Sequence, residues 1–462
     1  MLTTPINRES VLKFHAGGKV GVRLTKPLKT QHDLCLAYTP GVAEAVKEIS
    51  EKPQSVFDIT AKRNLVAVVS DGTAILGLGD LGASASIPVM EGKAVLFKAF
   101  GDVDAWPVPL NHCRVNGENT GKTDPQRIIN AVAALAPMYG GINLEDIAAP
   151  ACFEIEDTLD AMLDIPVFHD DQWGTAVITL AGVMNYALLC GREISDLRVV
   201  VNGAGAAGIR IADMCKAAGV RDLIMCDTKG VIHEGRTDLN DHKRRHAIKV
   251  SSFQFPVSSC AAPEVSDGKL ETGNWKLETK NNLSDALIGA HVFIGVSVAD
   301  CVSGEDVKRM ADYPAIFAMS NPVPEIHPAV VAEALGDKPY IMATGRSDFP
   351  NQVNNVLGFP FLFRGALDVR ARTINTQMKV AAAKALAELA RQPVTDEVQA
   401  VYPNEKLTFG PSYIIPKPFD RRLFVEVSYA VAEAAVQSGA APADTDLAAV
   451  KAALVERNAG RG

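Results

Sequence analysis

Residues 197–227 leave this chain few ways to fold. Leu197–Asn202 (LRVVVN) is a run of buried-strand type, and it leads directly into Gly203, Ala204, Gly205, Ala206, Ala207 and Gly208. Next comes a stretch whose apolar positions, Ile211, Met214 and Cys215, fit a helix, and then a second apolar run, 223–226, ending at Asp227. Strand, GxGxxG, helix, strand and terminal acid in this order form a dinucleotide-binding fingerprint, far more specific than the glycines alone. Gly203 permits the tight turn, Gly205 lets backbone approach a pyrophosphate, and Gly208 lets the helix pack close to the strand. The helix N-terminus then offers unpaired N–H groups to the phosphates. Asp227 can accept hydrogen bonds from a ribose diol and by itself favours NAD, whereas the nearby Lys229 and Arg236 would reverse that preference.

A second strand–helix–strand unit precedes it. Ile142–Leu144 ends in Glu145 and Asp146. A helix follows with Cys152, Ile155, Leu159 and Met162 on one stripe, and Ile165–His169 then ends in Asp170 and Asp171. If the two strands are parallel, their C-terminal ends share one edge of a sheet, and Glu145, Asp146 and Asp171 can face a common point. Gathered carboxylates repel unless a cation or a proton sits between them, and oxygen-only ligands suit Mg²⁺ or Mn²⁺. The plainer alternative is that these acids cap the helices that follow. Glu154, Glu156, Asp157 and Asp160 on the connecting helix are expected to form a mostly solvated face.

The alternation of apolar strands with amphipathic helices is the pattern of a doubly wound parallel sheet. We expect an α/β protein with a mixed N-terminal substrate domain over 1–165, a Rossmann-type NAD(P)-binding domain over 166–440, and a C-terminal helix and tail over 441–462 with a frayed end from Arg457. The polar stretch 251–282 reads as an elaborated surface loop. A net charge of −8 argues against sequence-independent nucleic-acid binding. The eight cysteines form no CxxC pair and point to thiols in a reducing, cytoplasmic setting. Residues 174–191 carry no charge, yet their glycines, threonines and Asn185 mark a buried helix and not a membrane span.

Other candidates stand singly. Tyr38 precedes a Pro-Gly turn and can donate a proton if its phenol is polarised, although a lone tyrosine is more often a packed aromatic. Lys93, at what reads as the start of a buried element, can have its pKa lowered by desolvation and act as a base; the default for a single lysine is the surface. Asn321, Asn354 and Asn355 lie in polar breaks after apolar runs, where amides can bind a carboxylate or a carboxamide, or simply make turns.

Taken together, AYTPGVA, VVSDGTAILGLGDLGA, PVMEGKAVLFKAF, GGINLEDIAAP, IPVFHDDQWGTA, VVVNGAGAAGIR, MSNPVPEI and TGRSDFPNQVNNVLGFPFLFRGALD resemble the malic enzyme family, most closely its short bacterial form. The resemblance covers most of residues 15–440. It implies metal-dependent oxidative decarboxylation of malate to pyruvate and CO2 with reduction of NADP or NAD, the bacterial form tilting toward NADP. It implies Tyr38 as general acid, Lys93 as general base, and Glu145, Asp146 and Asp171 as ligands of Mg²⁺ or Mn²⁺. Residues Gly203 to Gly208 and Asn321 become dinucleotide contacts, with Lys93, Asn321, Asn354 and Asn355 toward malate. A homodimer or higher homo-oligomer is expected, with no membrane or nucleic-acid partner. Trp173 stands where the family usually has His or Gln. A malolactic or oxaloacetate-decarboxylating variant, and a non-catalytic nucleotide sensor on the same fold, are the competing readings; the sensor predicts loss of the acid, base or ligands, all of which are present.

Overall fold

Strand β1 (Leu65–Ser70) carries LVAVVS, and Val66–Val69 are almost wholly buried, as expected for a strand covered on both faces. It pairs in parallel with β2 (Asp104–Pro109) and with β3 (Gly141–Leu144), and β3 pairs in parallel with β4 (Val167–His169), giving the sheet order β2-β1-β3-β4. All four strands point the same way. Leu144 is opposite His169, so Glu145 and Asp170 begin their connections on the same edge. This computed structural model describes residues 7–116, 122–249 and 282–461.

The second sheet adds β5 (Arg198–Asn202), β6 (Asp222–Asp227), β7 (Gly230–Val231), β8 (Val292–Gly295), β9 (Ala315–Ala318) and β10 (Ile341–Thr344), in the order β10-β9-β8-β5-β6-β7. Only the β6–β7 pair is antiparallel. The chain leaves β5 in one direction to β6 and later returns on its other side to β8. The crevice between β5 and β8 is therefore the topological switch point where open α/β sheets bind ligands.

Contacts group the chain into two units, Met1–Ile178 with Asn354–Leu407 and Pro416–Gly462, and Thr179–Val353 with Thr408–Ile415. This differs from contiguous domains divided at 165 and 440. The cause is apolar packing by the C-terminal helices. Phe359 and Phe363, on the helix Phe359–Asp368, meet Phe97 edge-on at 4.7 and 5.2 Å, and Phe363 also meets Phe168. The helices Thr376–Arg391 and Arg422–Gln437 pack on each other in the same unit.

Residues 457–461 are docked, not frayed. The helix Leu447–Ala459 carries Arg457 beside Asp368 at 3.5 Å, and Arg461 lies over the Phe424 ring while donating to Phe100 O. The uncharged stretch from Gly174 lies in the helix Asp170–Leu189, and no described helix is long and apolar enough to cross a membrane. The expected 251–282 loop falls outside the described residues except for Asn282, which caps the helix Leu283–Ala286. At the other end, the helices Arg8–His15, Gln31–Ala37 and Val42–Glu51 bury no residue, leaving Phe14, Val22, Leu24, Leu36 and Val46 exposed.

Candidate active site

The end of β3 turns sharply at Asp146, which takes a left-handed backbone conformation (φ 54°). Its N–H donates to Asp171 Oδ2 at 2.8 Å, its carbonyl accepts from Ala74 N–H, and its Oδ1 accepts from Leu76 N–H. The Gly-rich segment 71–82 thus fixes Asp146 from one side, and Asp171 fixes it from the other. That segment is itself anchored. The buried Arg114 guanidinium reaches Asp71 at 2.9 Å and Asp80 at 2.7 Å, and Thr73 Oγ1 accepts from Ala148 N–H.

Glu145, Asp146 and Asp171 offer oxygens that all lie within 4.8 Å of one another. Asp146 Oδ2 is buried and accepts no hydrogen bond. Three converging carboxylates and a buried unpaired oxygen fit a hard divalent cation bound through oxygen. Burial, followed by the neighbouring Asp171, raises the Asp146 carboxyl to about 7. Burial also holds Glu145 well above the usual carboxylate range, Lys93 acting the other way.

Lys93 does not begin a buried element. It lies inside the helix Ala83–Gly101, 9% exposed, with Nζ 2.6 Å from Asp170 Oδ2 and 2.9 Å from Glu145 Oε1, above the Phe359 ring. Burial pulls its pKa down, but Asp170, Glu145 and Asp171 more than offset this and hold it well above the ordinary lysine value. The pKa is therefore raised and not lowered as desolvation predicts, because the carboxylates outweigh burial.

Asp170 and Glu156 are the residues that sequence reasoning missed. Asp170 is fully buried and accepts from both Lys93 and Asn355 Nδ2, while Asn355 Oδ1 accepts from Thr175. Gly174 makes room for this group, since a Cβ there would sit 2.2 Å from Asp170 Oδ1. Glu156 is buried, contrary to the solvated face expected of it; Glu154 and Asp157 do face solvent. Its carboxylate accepts from His169 N–H and from Trp173 Nε1–H at 2.9 Å, steadying the turn that carries Asp170 and Asp171. Trp173 thus has a hydrogen-bonded place, with the Lys379 ammonium 3.5 Å from its ring centre. Asn354 caps the short turn Asn355–Leu357, its Oδ1 accepting from Val356 N–H. Tyr38 stands apart, ending the helix Gln31–Ala37 with 69% of its surface exposed.

In the other unit, Gly203 (φ 114°) and Gly208 are both obligatory: a Cβ would lie 2.5 Å from Val296 O at the first and 1.7 Å from Gly203 O at the second. Gly205 opens onto free space at the start of the helix Ala206–Ala217, with Ala204, Ala206 and Ala207 half-buried around it. Asn321 is exposed after β9, its Nδ2 toward Met319 O. Asp227 does not present a free carboxylate. Arg236 grips it through both nitrogens at 2.8 and 3.0 Å, Lys243 at 2.7 Å, and Lys229 N–H donates to it. Burial pushes Asp227 up, but these partners prevail and hold it at about 2.

A parallel sheet with a buried carboxylate cluster, and a second sheet with a dinucleotide fingerprint at its switch point, define an α/β nucleotide-binding enzyme architecture. The description "Malic enzyme, N-terminal domain" matches residues 17–160, and "Malic enzyme, NAD binding domain" matches residues 173–408. The chain belongs to the malic enzyme family. It is 49% identical to the NADP-dependent malic enzyme of Halomonas elongata, over 95% of this chain and 96% of that one. Identity is also 49% to the NADP-dependent malic enzyme of Rhizobium meliloti, but there the chain spans only 53% of the relative's length. The crystal structure of malic enzyme from Pyrococcus horikoshii superimposes with a TM-score of 0.81 at 36% identity, covering 98% of this chain and 99% of that one.

Because the folded protein holds protons on Glu145 and Asp146 that an unfolded chain releases near pH 4, these groups favour folding most at low pH. The Asp146 contribution falls as pH rises through about 7. We expect the metal-free Tm to decline between about pH 5 and 8, and saturating Mn²⁺ to cancel the decline. A metal-free profile that is flat, or that rises over this window, contradicts the charge balance described.

Proposed function

We propose that this chain catalyses the divalent-metal-dependent oxidative decarboxylation of (S)-malate to pyruvate and CO2 with reduction of NADP. The observation that carries the reading is the convergence of Glu145, Asp146 and Asp171 beside Lys93 at the C-terminal edge of one sheet. When bound, the cation supplies Lewis acidity for the loss of carbon dioxide and the nicotinamide accepts the hydride. Glu145, Asp146 and Asp171 hold the cation. Positive charge added at these carboxylates relieves the excess that keeps Lys93 protonated and frees its amine to act as base.

Lys93 then takes the proton of the malate 2-hydroxyl at Nζ, and Asp170 stabilises the resulting ammonium. Asn355, already bonded to Asp170, orients that carboxylate and offers its amide near the substrate. Tyr38 returns a proton to C3 through its phenol. In the other unit Gly203 to Gly208 would hold the pyrophosphate at the helix N-terminus, and the exposed Asn321 would contact the dinucleotide. The seven described cysteines are free thiols, which supports a cytoplasmic setting.

The cofactor preference follows from Asp227. Arg236, Lys243 and Lys229 gather against Asp227 and Asp238, so cationic groups outnumber acids where an adenosine ribose ends. A 2′-phosphate entering there finds placed cations, and Asp227 is already engaged. The exposed apolar side chains of residues 11–46 support a homodimer in which a second copy covers this face and takes Tyr38 out of water.

Lys93→Ala is expected to lower malate-dependent NADPH formation by at least about a thousandfold while leaving nucleotide affinity unchanged. Normal turnover would remove Lys93 from the chemistry, and a wild type that consumes malate with no rise in NADPH absorbance would favour the malolactic alternative. Arg236→Ala should raise KM for NADP about tenfold or more and KM for NAD by less than about threefold; equal effects would refute a 2′-phosphate role. Sedimentation velocity should give the mass of a dimer, and a stable monomer would contradict the covered face.

A further inference from the structure

Glu325 is wholly buried in the second unit, an unusual place for a carboxylate without a counter-ion role. It follows the turn Asn321–Pro324 after β9, and its two oxygens are divided between two strand ends. Oε1 accepts from Ser297 N–H at 2.7 Å, just beyond β8, and Oε2 accepts from Ser320 N–H at 3.0 Å, just beyond β9. The carboxyl group rests on Gly295, where any Cβ would lie 2.5 Å from its Cδ. Its own backbone closes the arrangement: Val302 N–H donates to Glu325 O, and Asp300 N–H donates to Pro324 O.

Ser297 passes the constraint on. Its Oγ accepts from Asn202 Nδ2 at 2.7 Å, and Asn202 is the last residue of β5, directly before Gly203. Val296 O, one residue earlier, is the atom that a Cβ on Gly203 would strike. On the other branch Ser320 immediately precedes Asn321. One buried carboxylate therefore ties together the fingerprint turn, the β8 turn across the switch point, and the turn bearing Asn321. Burial pushes the Glu325 carboxyl up while the N–H groups of Ser297 and Ser320 act the other way, and in the ionised form both of these bonds are charge-assisted, about twice as strong as neutral ones.

We propose that Glu325 is a positioning residue for the dinucleotide, clasping the turns after β8 and β9 so that the Gly203 turn and Asn321 are held in place for the cofactor. This rests on the nucleotide-dependent function proposed above. Gln at 325 conserves shape but has a single acceptor oxygen, and its NH2 group would face a backbone N–H, so one arm of the clasp opens. Packing alone would make Glu325→Gln silent. The clasp makes it costly for nucleotide and neutral for metal, which the carboxylates of the other unit bind.

The test is titration of the full chain with NADPH, followed by fluorescence, and with Mn²⁺, alongside steady-state kinetics. For Glu325→Gln we expect at least about tenfold weaker NADPH binding and a matching rise in KM for NADP, with Mn²⁺ affinity within about twofold of wild type. Ser297→Ala, which removes only the hydroxyl between the clasp and Asn202, should weaken NADPH about threefold or more, and it decides the matter if the Gln variant does not fold. NADPH affinity within twofold of wild type in the folded Gln variant, or in the Ala variant when it alone folds, overturns the clasp. Failure of wild type to bind either NADPH or NADH would instead overturn the proposed function.

Discussion

Charge balance in a dry space governs the catalytic unit. Glu145, Asp146, Asp170 and Asp171 gather around Lys93, whose single positive charge cannot compensate four carboxylates. Burial and this imbalance together appear as raised carboxyl groups on Glu145 and Asp146, as a lysine held far from neutrality, and as a buried Asp146 oxygen with no donor. A divalent cation resolves all three at once. The rest of the unit serves to hold these like charges together: Arg114 anchors the Gly-rich segment that grips Asp146, and Glu156 steadies the turn of Asp170 and Asp171. Phe97, Phe359 and Phe363 form the apolar packing beneath the helix that carries Lys93.

The nucleotide unit solves a related problem with backbone. Gly203 and Gly208 are dictated by atoms that leave no room for a side chain, and its buried acid, Glu325, is satisfied by N–H groups and not by a cation. Asp227 shows a third solution, an acid so fully paired with Arg236 and Lys243 that the local surface favours an incoming anion. Three acidic sites thus have three different kinds of partner, and each kind implies a different task.

The parts legible in the sequence are those with local causes. The fingerprint could be read because strand, glycines and helix are contiguous. Glu145, Asp146 and Asp171 could be read because parallel strands bring their C-terminal ends to one edge. Lys93's true environment was hidden, because Asp170 lies 77 residues away and nothing in the apolar pattern says which face of a 19-residue helix meets it. Glu156 was misjudged for the opposite reason. Its acidic neighbours Glu154 and Asp157 do face water, and only the Trp173 indole, one helix later, singles it out. The return of residues 354–407 to the first unit depends on aromatic packing between segments far apart in the chain, which no local period records.

The catalytic unit depends on the three carboxylates forming one metal site. A crystal grown with Mn²⁺ and measured at the manganese absorption edge tests it most directly. We expect one anomalous peak bonded to oxygens of Glu145, Asp146 and Asp171 at about 2.0–2.3 Å. A peak elsewhere, or Glu145 and Asp171 turned away from a shared centre at saturating Mn²⁺, would contradict the account.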